Sequence, residues 1–215
     1  MSTPEVAVVY YGIGNLLSVR RGLEHCGAKV TITADSNKIL SASRVVLPGV
    51  GAFGDGMAEL RSRGLVSVVK EVAARGIPLL GICLGMQMLL DESEEFGVNE
   101  GLRLIPGRVV PIPSRTVSGE PMKIPHIGWS GLTLPAGRES WAGTPLREIT
   151  LGDAVYLVHS FMPTLADPSH GIANCVYGGV QVPTAIGRAN VFGCQFHPEK
   201  SGEVGLRILR SFVMQ

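Results

Sequence analysis

The sequence predicts an α/β fold: an open, mostly parallel sheet flanked by helices, with antiparallel strands in the C-terminal half. Three observations carry this. In the first half, short apolar runs alternate with amphipathic segments. One of those runs passes straight into a helix-like segment through Gly81-Ile82-Cys83-Leu84-Gly85. From Gly107 onward proline and glycine become frequent and the apolar runs shorten. Alternating strand and helix implies parallel strands covered on both faces, whereas short runs separated by turn formers imply hairpins.

Val6 to Tyr10 reads as a buried strand. Gly12-Ile13-Gly14 turns the chain into a helix from Asn15 to Leu23, where Leu16, Val19 and Leu23 share a face. Lys29 to Thr33 alternates and gives a second strand; Arg44 to Leu47 gives a third. Ala58 to Arg75 has helical spacing broken near Gly64. Pro78 to Ile82 is the fourth strand, followed by a helix from Leu84 to Asp91. Later come the short runs Val109-Val110, Ala154 to Val158, Ile172 to Tyr177, Thr184 to Ala189 and Val191 to Phe196, with a surface loop at Pro113 to Pro121. Ser201 to Val213 is a terminal helix that Ser201 can cap; Val204, Ile208 and Phe212 form its apolar stripe, which packs back on the sheet.

The 215 residues suit one domain, 1–215, with 45% hydrophobic and 17% charged residues. A net charge of +1 gives no basic surplus for nucleic acid. No apolar stretch is long enough to span a bilayer, and the opening residues lack a basic segment followed by a long apolar run, so no membrane association is expected. Cys26, Cys83, Cys175 and Cys194 show no CxxC spacing. Reduced thiols, a cytoplasmic location, no metal and no cofactor are expected.

The G-x-C-x-G turn around Cys83 is the cysteine form of the nucleophile elbow. Gly81 and Gly85 permit the sharp turn, and the following helix start favours thiolate. Taken alone, a small buried cysteine beside a tight turn fits Gly81 to Leu89 equally well. A thiolate needs a base, and the base needs an orienter. His197 and Glu199, two apart across the stiff Pro198, supply both. Taken alone, a surface histidine beside a helix-capping glutamate is the commoner arrangement. The glycine-rich segment Leu47-Pro48-Gly49-Val50-Gly51-Ala52-Phe53-Gly54 can turn backbone N–H groups toward an oxyanion, or be a plain strand-to-helix turn. His25 and His170 read as structural or solvated.

Together, G-I-C-L-G-M-Q and the distant H-P-E resemble the class I (triad) glutamine amidotransferases. The full chain is similar to the glutaminase-subunit family of imidazole glycerol phosphate synthases, through Tyr11 to Val19, Leu47 to Phe53, Lys123 to Trp129 and Tyr156 to Phe161. The resemblance implies that Cys83, His197 and Glu199 form the triad. It implies an oxyanion hole from Gly49, Val50 and Gly51 with the Leu84 amide, and glutamine held by Gln87 with His159 and Ser160 nearby. The γ-glutamyl thioester would be hydrolysed to glutamate. Ammonia would pass to a (β/α)₈-barrel cyclase subunit that makes imidazole glycerol phosphate and an aminoimidazole carboxamide ribonucleotide in histidine biosynthesis.

Ammonia must cross the partner surface, so that surface lies on the active-site side. Asn15, Trp129, Tyr156 and Lys200 are its candidates. Asn15 also reads as a helix cap, the aromatics as half-buried side chains and Lys200 as a solvated charge. His126 and His159, alone, would be hydrogen-bonded structural histidines; the resemblance points to a part in shaping the site. Tyr10 stands where the family usually has an acidic residue, and Ser130 where it usually has Asn. Three other readings stand beside this one. They are a glutaminase feeding pyridoxal phosphate synthesis, against which Lys123 to Trp129 argues, a non-catalytic scaffold, and a free cysteine hydrolase on a similar fold.

Overall fold

Four consecutive apolar residues, Val6 to Val9, have no polar side, and such a run is stable only as a strand covered on both faces. In the computed structural model, which describes residues 3–214, they are buried in β1 (Glu5–Val9). The predicted domain limits Met1 and Gln215 lie outside the described residues. β2 (Lys29–Thr33), β3 (Arg44–Gly49) and β4 (Leu79–Cys83) follow the expected pattern. With β11 (Gly171–Tyr177), β12 (Val180–Arg188) and β13 (Val191–Cys194) they build a seven-stranded sheet ordered β11-β12-β13-β4-β3-β1-β2. β13, β4, β3, β1 and β2 run parallel, and β11 and β12 join antiparallel.

Alternation along these strands divides the core into two layers. Val6, Val8, Val46, Leu80 and Ile82 face α1 (Leu16–His25) and α6 (Gly202–Val213). Ala7, Val9, Val45, Leu47 and Leu79 face α2 (Ser36–Ser41), α3 (Phe53–Ser62) and α4 (Leu65–Ala74). Ile208 and Phe212 of the predicted stripe are fully buried, each stabilising by roughly 1.5–3 kcal/mol. Gly64 adopts a left-handed conformation (φ 67°), which splits the predicted long helix into α3 and α4. Among the described residues, no helix is long and apolar enough to cross a membrane.

Several boundaries differ from expectation for identifiable reasons. The helix after Cys83, α5 (Leu84–Met88), stops short of Asp91. Its last carbonyls are taken by another segment: the Leu102 N–H donates to Met88 O at 2.8 Å and the Leu104 N–H to Leu89 O at 2.9 Å. α3 starts earlier than Ala58, at Phe53, whose N–H is satisfied by the Glu95 carboxylate. Neither Asn15 nor Ser201 caps its helix through the side chain. The Ser201 hydroxyl instead donates to His197 O at 2.7 Å and accepts the Tyr156 N–H at 3.0 Å.

Two smaller sheets complete the fold. β10 (Phe161–Leu165), β7 (Gly107–Pro111), β5 (Glu92–Ser93) and β6 (Asn99–Glu100) lie side by side in that order. β8 (His126–Gly131) and β9 (Ala154–His159) form an antiparallel ribbon pairing His126 with His159 and Trp129 with Tyr156. Val155 and Leu157 turn into the core, while Ile127 and Trp129 remain exposed.

Candidate active site

Cys83 ends the central strand β4 and begins α5 with φ 55° and ψ −111°, a conformation that non-glycine residues rarely adopt. The flanking glycines are dictated by crowding. A side chain at Gly85 would collide with the Leu47 carbonyl, and one at Gly81 would lie 2.7 Å from Gly85 O. The strand-to-helix reversal can therefore be this tight only with glycine on both sides, and it lifts the thiol to the C-terminal edge of the sheet.

His197 follows β13, the parallel neighbour of β4, so the sheet itself carries base and nucleophile to the same edge. Pro198 starts a short 3₁₀ turn, Pro198–Lys200, that brings Glu199 back: its Oε1 lies 2.9 Å from His197 Nδ1. Both side chains are almost wholly buried, at 3% and 1% exposure. Burial pulls the imidazole pKa down. The nearby Cys83 sulfur and the hydrogen bond to Glu199, with the charge of each, outweigh that and lift it to about 9. An imidazolium between them stabilises negative charge on the sulfur. Glu199 Oε2 is buried with no hydrogen-bond partner among the described residues.

The glycine-rich loop leaves β3, the other neighbour of β4, with Gly49 in register with Cys83. Val50 and Gly51 are exposed, and Gly51 has φ 97°. Among the described residues their N–H groups meet no protein acceptor, leaving two donors free beside the nucleophile. Val50, Gly51, Cys83, Leu84, Gln87, His159, Ser160 and His197 line one cavity of about 280 Å³, together with Glu95, Val158, Phe161 and Gln195.

Two features of this cavity, the roles of Gln195 and Glu95, were not foreseen. The Gln87 amide nitrogen donates to Gln195 Oε1 at 2.9 Å, and Gln195 Nε2 lies 3.7 Å from Cys83 Sγ. Alternation places Gln195 on the same side of the extended chain as His197, a signal the sequence did carry. Glu95 reaches the cavity from the turn after β5, with Oε2 held by the Phe53 N–H at 2.7 Å; nothing in its acidic run separates it from Glu94. His159 has both ring nitrogens engaged, Nδ1 by Phe161 O at 2.9 Å and Nε2 by His126 at 3.2 Å, so its part in the cavity is to shape the wall.

Of the interface candidates, Trp129 and Tyr156 are paired across the ribbon. Trp129, 58% exposed, meets Tyr156 edge-on at 6.0 Å on the outer face of the ribbon. Asn15 precedes α1 and Lys200 is exposed beyond Glu199; among the described residues neither side chain makes a hydrogen bond or ion pair. Tyr10 is exposed at the end of β1 with the Arg63 guanidinium 5.6 Å from its ring. Ser130 Oγ lies 3.0 Å from His126 Nε2. Among the described residues no group of His, Cys, Asp and Glu has the arrangement to hold a metal ion.

The arrangement sets Cys83 in one cavity with His197, which is paired to the buried Glu199, and with a loop carrying unpaired N–H groups. The glutamine amidotransferase class-I family profile matches residues 7–215. Imidazole glycerol phosphate synthase subunit HisH 1 of Legionella pneumophila (strain Paris) is 49% identical over 208 residues, covering 97% of this chain and 98% of that protein. The HisH subunit of Geobacter sulfurreducens is 44% identical over 209 residues, covering 97% of each chain. The PurLQS structure from Thermotoga maritima contains a chain of the same fold, with TM-score 0.74 at 19% identity and 99% of each chain covered. This chain belongs to the class I glutamine amidotransferase family, and within it to the group of HisH subunits.

Proposed function

We propose that the chain hydrolyses glutamine through a Cys83-His197-Glu199 triad and delivers the ammonia to a cyclase subunit. One observation carries the chemistry: a single cavity holds the strained Cys83 elbow, His197 backed by Glu199, and the free N–H groups of Val50 and Gly51. Cys83 Sγ attacks the side-chain amide carbon. The developing oxyanion is met by the N–H groups of the Gly49–Gly51 loop and of Leu84, where one lost donor typically costs about 10²–10³ in rate. His197 gives its proton to the leaving nitrogen, the C–N bond breaks, and ammonia departs to leave the γ-glutamyl thioester on Cys83. His197 then takes a proton from water, which attacks the thioester carbonyl and releases glutamate. Glu199 holds the imidazole through Nδ1. Gln87, Ser160 and the free oxygen of Glu95 are the polar groups facing the glutamine.

The partner reading rests on the near full-length likeness to HisH subunits. The second subunit is a (β/α)₈-barrel cyclase that uses ammonia to form imidazole glycerol phosphate and an aminoimidazole carboxamide ribonucleotide, in the cytoplasm, as a heterodimer. Asn15, Trp129, Tyr156 and Lys200 contribute to the contact, and the exposed Trp129 is the strongest of these candidates. The whole of 1–215 acts as one amidotransferase domain. The test is glutamate release with and without the cyclase subunit and its nucleotide substrate. Stimulation by both supports the reading, with little activity for the isolated subunit. High activity indifferent to the cyclase removes this choice of partner. An inert Cys83 in every mixture indicates a scaffold.

A further inference from the structure

Tyr11 is fully buried directly after β1, and its hydroxyl donates to the Pro48 carbonyl at 2.6 Å. The same hydroxyl lies against Gly49: a side chain there would strike Tyr11 Oη, and would also lie 3.0 Å from Leu84 Cβ and 3.1 Å from the Gly85 nitrogen. Gly49 is thus held between the phenol of one strand end and the helix start after the nucleophile. A position that only filled the core would be served by phenylalanine, without a hydroxyl to desolvate. The phenol ionises far less readily than usual, because it is buried and because Cys83 is near. It therefore remains a donor, and Pro48 O can only accept.

We infer that Tyr11 is a positioning residue for the oxyanion loop, acting through the Pro48–Gly49 peptide rather than on the substrate; this rests on the glutaminase reading above. The carbonyl and the N–H of one peptide point in opposite directions. Fixing Pro48 O therefore fixes the direction of the Gly49 N–H. Turning this peptide would break the Tyr11 bond. Conformational freedom of the loop is confined to the two peptides beyond Gly49, which carry the unpaired Val50 and Gly51 N–H groups. Tyr11 is in this sense the fixed base on which those donors turn.

The test compares wild type and Tyr11→Phe in the complete two-subunit complex. Glutamine hydrolysis, alkylation of Cys83 by iodoacetamide, and ammonia-dependent synthesis are measured. Alkylation needs the thiolate but no oxyanion hole, so it separates the loop from the nucleophile. The expected result is a kcat for glutamine lowered about tenfold or more, by misplacing rather than removing donors. KM stays within about twofold, and alkylation and ammonia-dependent synthesis are unchanged. An unchanged kcat in the folded variant overturns the inference. So does a parallel fall in kcat and alkylation, which would put the effect at Cys83. Tyr11→Met, which removes the same hydroxyl while still filling the core, gives a second reading if Tyr11→Phe does not fold. A kcat-specific loss supports the inference and an unchanged kcat overturns it. A wild-type complex without glutamine hydrolysis would instead remove the proposed function, whatever the variants do.

Discussion

His126 Nδ1 and His159 Nε2 lie 3.2 Å apart, and the polarity of the bond between them is fixed from outside the pair. His159 Nδ1 faces the Phe161 carbonyl at 2.9 Å, which can only accept, so the His159 proton sits on Nδ1. His159 Nε2 must then accept from His126 Nδ1–H, and His126 Nε2 accepts from the Ser130 hydroxyl at 3.0 Å. Both rings are neutral in this chain of bonds. Burial lowers the pKa of each, that of His159 to about 4.

This has a stability consequence in acid. Between the ordinary histidine value of 6.5 and about 4, unfolded His159 carries a proton that the folded residue refuses. Stability should therefore fall as pH drops through that window, by about 3 kcal/mol from this residue. Urea unfolding midpoints followed from pH 7 down to about 4 read this directly. In His159→Gln the acid limb should be markedly shallower; an unaltered limb would sink the assignment.

His197 has the opposite sign. Its folded pKa is raised from 6.5 to about 9, so its contribution is complete below the lower value and is lost as pH climbs to the upper one. Glu199→Gln removes one of the two partners that raise it. The imidazole resonance should titrate lower in the variant, and kcat for glutamine should fall by on the order of 10²–10⁴. A titration curve that does not move would mean that Glu199 plays no part in holding the imidazolium.

Cys83→Ala should abolish glutamine-dependent synthesis and leave ammonia-dependent synthesis by the complex intact; equal loss of both would make Cys83 structural. The positive φ adds a second expectation. Cys83→Gly should be equally inactive yet more stable than Cys83→Ala by roughly 1–3 kcal/mol, because glycine relieves the backbone strain. Thermal unfolding of the two variants side by side decides it.

Ser201→Ala should lower stability by about 2 kcal/mol, since it leaves the Tyr156 N–H without its acceptor and removes one of the two donors to the His197 carbonyl, which keeps the Lys200 N–H. A surface cap would lose about half that. Full stability in the variant would show that other groups satisfy both.

The strands of the central sheet were legible because all-apolar runs such as Val6–Val9 admit few other structures, and the approach of Cys83 to His197 because one ends and the other follows two neighbouring strands. The elements that escaped were either very short or built by distant partners. α2 has only six residues, started by Asp35 accepting the Asn37 and Lys38 N–H groups. β5 and β6 have two residues each and exist only by pairing. Ser201 sat where a cap belongs, and only the approach of β9 diverted its hydroxyl. Glu95 was invisible because its neighbour is chemically identical, and the turn alone decides which carboxylate enters the cavity.

The Tyr156 peptide groups give the ribbon a mechanical role. Tyr156 O receives the His197 N–H at 3.1 Å, and the Tyr156 N–H reaches Ser201, whose hydroxyl holds His197 O. The base of the triad is therefore moored twice, to the main sheet through β13 and to the ribbon through Tyr156, whereas the nucleophile is moored to the main sheet alone. A displacement of the exposed Trp129–Tyr156 pair therefore reaches His197 directly through these bonds, and it also enters the core layer that Cys83 packs against, through Val155 and Leu157.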